Sequence, residues 1–213
     1  MLFLLLVIVF GACVGSCYHE GMWSNAVRLV NVITAGLIAT NVYQPLTTWL
    51  EGRDESMVTY SYLLDFLVLW LVFALAMGLL RTATDKLSSV KVRFLPIVDR
   101  IGSGVFSAWF GWVMVCFTMM SLHTAPLSRE FLGIQPEQRV EKMLAPELLW
   151  LGFVQQQSRG ALARSVGEGE SPDAHVFDPQ GMFLPTYATR RAKLEASNEK
   201  YGSLRVPVAD VYR

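Results

Sequence analysis

Between Arg100 and His123 the chain runs for 22 residues, Ile101–Leu122, without one charged side chain. At ~1.5 Å rise per residue this makes a helix of about 33 Å, the thickness of a bilayer's hydrocarbon core. Few structures accommodate such a run. Backbone in hydrocarbon must satisfy its own N–H and C=O groups, so the stretch is expected to be a membrane-crossing helix. Along it Ser103, Ser107 and Gly111 recur every four residues, beside Gly104 and Ala108 at the same spacing. Residues four apart share a helix face, and small side chains there let another helix come close. These five are the expected helix-packing face.

The rest of the chain divides around that feature. Charged residues make up 17%, below the quarter typical of soluble domains, and hydrophobic residues 53%. With 18 basic against 18 acidic side chains no global field favours nucleic acid. Residues 1–122 hold seven of each sign and residues 123–213 eleven of each, an apolar front and a polar back. The expected fold is all-α. Four transmembrane helices, about 1–18, 22–50, 57–80 and 97–122, form a membrane domain over 1–122. A mostly helical or irregular extramembrane tail follows over 123–213.

Residues 1–18 are uncharged, with no basic stretch ahead of them as a secretory signal would have, and are expected as a first span. The second helix is more polar, with Arg28, Asn31, Asn41 and Gln44; that stripe should face other helices or a partner. The third is the most apolar, and Asp65 is its one ionisable residue. A charge at mid-bilayer costs on the order of 3 kcal/mol, so Asp65 needs neutralisation, water or a partner. Asn41 and Gln44 are the neighbours expected for it. The loop from Arg81 to Arg100 carries Arg81, Lys86, Lys91, Arg93 and Arg100 against Asp85 and Asp99, the most basic short loop, and is expected in the cytoplasm. Alternation through four spans then puts both termini and the tail outside.

Asp99-Arg100 followed by Ser103, Ser107 and Gly111 at offsets of four, eight and twelve, with Phe106 just before the second, resembles the last transmembrane helix of the CvpA (colicin V production) family. That family has glycines at those offsets; two are serine here, and Phe110 stands where a basic residue is frequent. The His19 turn resembles the family's Arg-Gly turn, with Gly21 matching, Glu20 in the arginine's place and Asn25 in that of a following glutamate. The resemblance covers about residues 1–122. It implies a multi-pass protein of the bacterial inner membrane associated with colicin V production and the envelope. Some larger proteins of this family type carry a serine protease domain after the same four helices, on the outer face.

The tail, at 91 residues, is too short for such a protease and has no nucleophile motif; His123 and His175 lack triad companions. In it, 136–166 is expected as two helical pieces divided at Pro146, with Leu144, Leu148 and Leu151 on one face, docked on the membrane surface or on a partner. A linker over 167–172, a turn at Asp178-Pro179-Gln180-Gly181 and a short charged helix at Arg190–Glu195 follow. Cys13, Cys17 and Cys116 sit in apolar runs without metal-ligand spacing, so no cofactor is expected. The expected partners are the lipid bilayer and other membrane or envelope proteins or a second copy, with no nucleic acid. The function that follows is non-enzymatic assembly in the envelope; the alternative is an oligomeric permeation component with Asp65 on a polar path.

Overall fold

A computed structural model describes residues 2–53, 61–87, 95–127, 145–160, 173 and 175–201. Among these every element is helical: α1 Leu2–Cys17, α2 Met22–Glu51, α3 Ser61–Leu87, α4 Pro96–Thr124, α5 Pro146–Arg159 and α6 Phe183–Tyr201. Three of them, in α2, α3 and α4, are long and apolar enough to cross a membrane. The first helix has 16 residues, about 24 Å, short of a ~30 Å core. Four full spans were expected; three meet the length.

The chain forms two compact units, one of Met1–Val42 with Leu69–Thr118, the other of Tyr43–Val68 with Met119–Arg213. Helices α2, α3 and α4 each supply a segment to both.

The first unit is organised by α4. Phe73 and Phe117 stack at 4.6 Å with Trp70 edge-on to each, joining α3 to α4. Against α1 the approach is closest at Gly111, where a Cβ would come within 3.0–3.2 Å of Phe10 and Val14. Ser103 and Ser107 are buried on the same side. Gly104 and Ala108, expected on this face, are not on it. Ala108 is exposed, and a Cβ on Gly104 would meet nothing within 4 Å. One residue is ~100° around a helix, so the two stripes cannot share one contact.

Outward faces are apolar. Leu63, Leu67, Leu71, Leu75 and Leu79 form an exposed leucine row on α3, and Ile97, Ile101, Val105 and Trp109 another on α4. Exposed rows of large apolar side chains this long mark a surface covered by something other than water, and on helices of this length lipid is that cover.

Helix α3 continues past residue 80 to Leu87, so Arg81 and Lys86 lie on it and not in a loop, with Arg81 and Asp85 3.8 Å apart one turn on. Asp99 and Arg100 belong to the first two turns of α4, which opens on Pro96, a residue suited to the first helical position. Lys91, Arg93 and the 167–172 linker lie outside the described residues. Helix α2 runs through Pro45 to Glu51.

In the second unit the described residues of the tail are folded. Helix α5 buries Trp150, Leu151, Val154 and Ser158, while Leu148, expected on that face, is exposed; Leu144 lies outside the described residues. The 178–181 turn closes with Gly181 N–H donating to the Asp178 carbonyl at 3.2 Å. Asp178 also accepts from the N–H groups of Met182 (2.6 Å) and Phe183 (3.1 Å), capping α6. That cap explains why α6 begins at Phe183, a full two turns before the charged run at Arg190. Phe183, Tyr187, Arg191 and Leu194 make its buried face. Two further bonds tie the turn to α5: Phe177 N–H to Ser158 Oγ (3.0 Å) and Gln155 Nε2 to the Asp178 carbonyl (2.7 Å).

Candidate functional site

Asp65 projects from the first turns of α3 and is almost fully buried. Two groups from α6 meet one oxygen of its carboxylate: Tyr187 Oη donates at 2.7 Å and Arg190 Nη1 at 2.8 Å. Tyr43, fully buried on α2, places its hydroxyl 3.1 Å from that of Tyr187. The Arg190 guanidinium also lies over the Tyr187 ring at 5.3 Å. One carboxylate thus gathers α2, α3 and α6 within the second unit. Helical periodicity arranges this, since Tyr187 and Arg190 are three apart and share a face of α6.

The electrostatics follow from burial. Burial pushes the Tyr187 phenol far above its usual value of 10, reinforced by the charge on Asp65, so it serves as a donor at all ordinary pH. For Arg190, burial works against the charge, but the adjacent carboxylate more than offsets it and the guanidinium ends above its usual value. This is an ion pair with one partner enclosed and the other half-exposed, side chains 7% and 48% accessible.

Of the other polar residues expected in the spans, Gln44 touches it through the Tyr43 hydroxyl and the rest pair elsewhere. Asn31 donates to Thr84 Oγ1 at 2.9 Å, linking α2 to α3. Asn41 turns back on its own helix, onto the Leu37 carbonyl at 2.8 Å. Arg28 pairs with Glu20 and reaches Cys17 Sγ at 3.2 Å. Gln44 lines a cleft beside Tyr187 and Arg190. The neighbours expected for Asp65 were Asn41 and Gln44; its hydrogen bonds go to the tail. No group of three metal-ligating side chains occurs among the described residues.

A second polar arrangement explains the motif residues. The Asp99 carboxylate accepts from Met22 N–H at 2.9 Å, capping α2 from another helix. Gly21 sits at φ +85°, and a Cβ there would touch that carboxylate at 3.4 Å. Asn25, 1% exposed, donates to Ser103 Oγ and to the Cys17 carbonyl, each at 2.9 Å, and Ser103 in turn donates to the Tyr18 carbonyl at 2.9 Å. Buried amides and hydroxyls are costly unless paired; here the Asn25 NH2 and the Ser103 hydroxyl each pair with the other's helix or turn, while Asn25 Oδ1 has no hydrogen-bond partner. Gly102 completes the contact, because a Cβ would collide with Met22. The motif is therefore the joint by which the 18–22 turn is locked to the start of α4.

Sequence reasoning missed Tyr43, Tyr187 and Arg190. Tyr187 and Arg190 stand 122 and 125 positions from Asp65, in and just before a stretch expected only as a short charged helix. The one available signal was the unpaired carboxylate itself, which required a cation or donor from somewhere.

No curated protein and no solved structure matches the chain. The family model described as "Colicin V production protein" matches residues 2–146, extending past α4 and beyond the 122 residues over which the resemblance was traced. That match spans more than half of the sequence, and with apolar helices of membrane-crossing length it establishes a multi-pass membrane protein belonging to the colicin V production (CvpA) family.

Proposed function

We propose that this protein is a non-enzymatic assembly component of the bacterial envelope, which holds a folded tail against the ends of its membrane helices for other membrane or envelope proteins to engage. The observation that carries this is the Asp65–Arg190 pair with Tyr187. A carboxylate on a permeation path would face a lumen. This one is closed by the chain's own tail, and Asn31 and Arg28 are likewise consumed by Thr84 and Glu20. Polar side chains spent on internal pairing fix helix positions and leave none of these groups to line a path.

In this proposal α1 is the first of four spans, its short length met by local bilayer thinning. The basic Arg81–Arg100 side faces the cytoplasm, and both termini and the tail lie outside the inner membrane. Single cysteines introduced at Lys91 and at Ala196, labelled with a membrane-impermeant maleimide on intact cells, test this arrangement. Labelling at 196 alone is expected; labelling at 91 reverses the orientation. Affinity purification after cross-linking should recover a discrete membrane partner or a second copy. A lone monomer, together with ion flux in liposomes that Asp65→Asn abolishes, would replace assembly with permeation.

A further inference from the structure

We propose that the cleft beside Arg190 is a binding site for the headgroup of an anionic phospholipid. The cleft, about 210 Å³, is lined within the second unit by Gln44 of α2, the Phe177–Met182 turn, and Phe183, Thr186, Tyr187 and Arg190 of α6. That volume is below the range of drug-sized pockets and suits a headgroup.

Its lining carries one cation, Arg190, and one carboxylate, Asp178. Arg190 supplies the cation, held in place before any ligand arrives by Asp65 behind it and the Tyr187 ring beneath it. Its bond to Asp65 uses Nη1, one of five N–H donors in a guanidinium fork suited to bridging a second oxyanion. Gln44 and Thr186, both exposed, add neutral hydrogen-bonding groups for a headgroup's hydroxyls. The one other ionised group in the lining, Asp178, is already engaged by the backbone N–H groups of Met182 and Phe183. Phe177, Met182 and Phe183 form the apolar wall. A phosphate ester with an apolar continuation matches the Arg190 donors and the apolar wall.

Position selects a lipid over a free phosphate. Helix α2, with 30 residues and about 45 Å, outruns a ~30 Å hydrocarbon core, so its end stands in the headgroup layer. Near that end Trp49 is exposed with Arg53 over its ring at 4.6 Å, an aromatic–cation pair of the kind found at membrane interfaces. The site requires only the membrane assignment and does not depend on the tail's serving as an assembly platform.

The experiment is native mass spectrometry of the full chain released from detergent, titrated with phosphatidylglycerol, phosphatidylcholine or inorganic phosphate. A saturable phosphatidylglycerol adduct is expected, with phosphatidylcholine and phosphate at least tenfold weaker. Thr186→Glu places a carboxylate one turn before Arg190, where it competes for the same guanidinium while Asp65 keeps its bond. That variant should bind roughly tenfold or more weakly, as loss of a charge-assisted contact implies. Thr189→Glu adds the same charge to α6 outside the cleft lining and should bind as the parent does. Equal binding by Thr186→Glu, or equal adducts with phosphatidylcholine, would overturn the site; binding of inorganic phosphate as tight as that of the lipid would overturn its assignment to lipid.

Discussion

Replacing Asp65 with Asn removes the charge that gathers α2, α3 and α6 while keeping the side chain's shape. Tyr187 Oη retains an acceptor, but a hydrogen bond to a carboxylate contributes about 1.5–3 kcal/mol against about 1 for a neutral one. Arg190 is half-exposed and regains water when its partner is lost, so its share stays near the ~1 kcal/mol of a partly solvated pair, well below the 3–5 of an enclosed one. Together the substitution should weaken docking of α6 by about 2 kcal/mol. That is roughly a 30-fold rise in the undocked population, taking tenfold per 1.4 kcal/mol. Limited trypsinolysis in detergent reads it, because Arg191 is buried in the docked helix and becomes a cleavage site when α6 lifts. Where opening is fast relative to cleavage, the rate after Arg191 should rise by that factor. Leu194→Asp, which puts a charge on the same buried face, is the positive control. Cleavage of Asp65→Asn at the parental rate, with the control accelerated, would show that the carboxylate does not hold the tail.

Three further outcomes follow from other contacts. Asn25→Ala strips the donor shared by Ser103 and the Cys17 carbonyl and should cost about 1–3 kcal/mol, seen as a lower midpoint of thermal unfolding in detergent. Gly111→Leu forces a branched side chain into space bounded by Phe10 and Val14 and should destabilise by about 1–3 kcal/mol or more, while Gly104→Leu, where a Cβ meets nothing within 4 Å, should change the same midpoint little. The Tyr187 phenol, raised above its unfolded value of 10, stabilises the fold fully below pH 10, and that contribution is lost as pH rises above it. Tyr187→Phe should therefore leave the tyrosinate absorbance step near pH 10 undiminished; a smaller step would mean that the phenol titrates normally.

The joint at the 18–22 turn shows how far residue patterns reach. Small residues every four positions after Asp99 announced a close-packed face, because helical period is a property of the chain alone. Which of two adjacent stripes is buried, Ser103–Ser107–Gly111 or Gly104–Ala108, depends on where α1 and α2 lie, and no local pattern carries that. The same limit applied to Arg81 and Lys86: charge placed them in a loop, whereas backbone hydrogen bonding carries α3 on to Leu87. In the tail, the Asp178-Pro179-Gln180-Gly181 turn was legible from turn chemistry, but its second role, capping α6, appeared only with the fold.

By itself the amino-acid sequence determined that this chain enters a membrane as helices, which of its stretches are apolar enough to do so, and which family it belongs to. These depend on local composition and period, since a backbone in hydrocarbon has only its own turns to satisfy it. Tertiary structure alone decided what becomes of the buried Asp65 carboxylate in those helices. Asp65 finds Tyr187 and Arg190 more than a hundred residues away because an enclosed charge takes whichever donor the packed chain brings within reach, and sequence distance plays no part in that attraction.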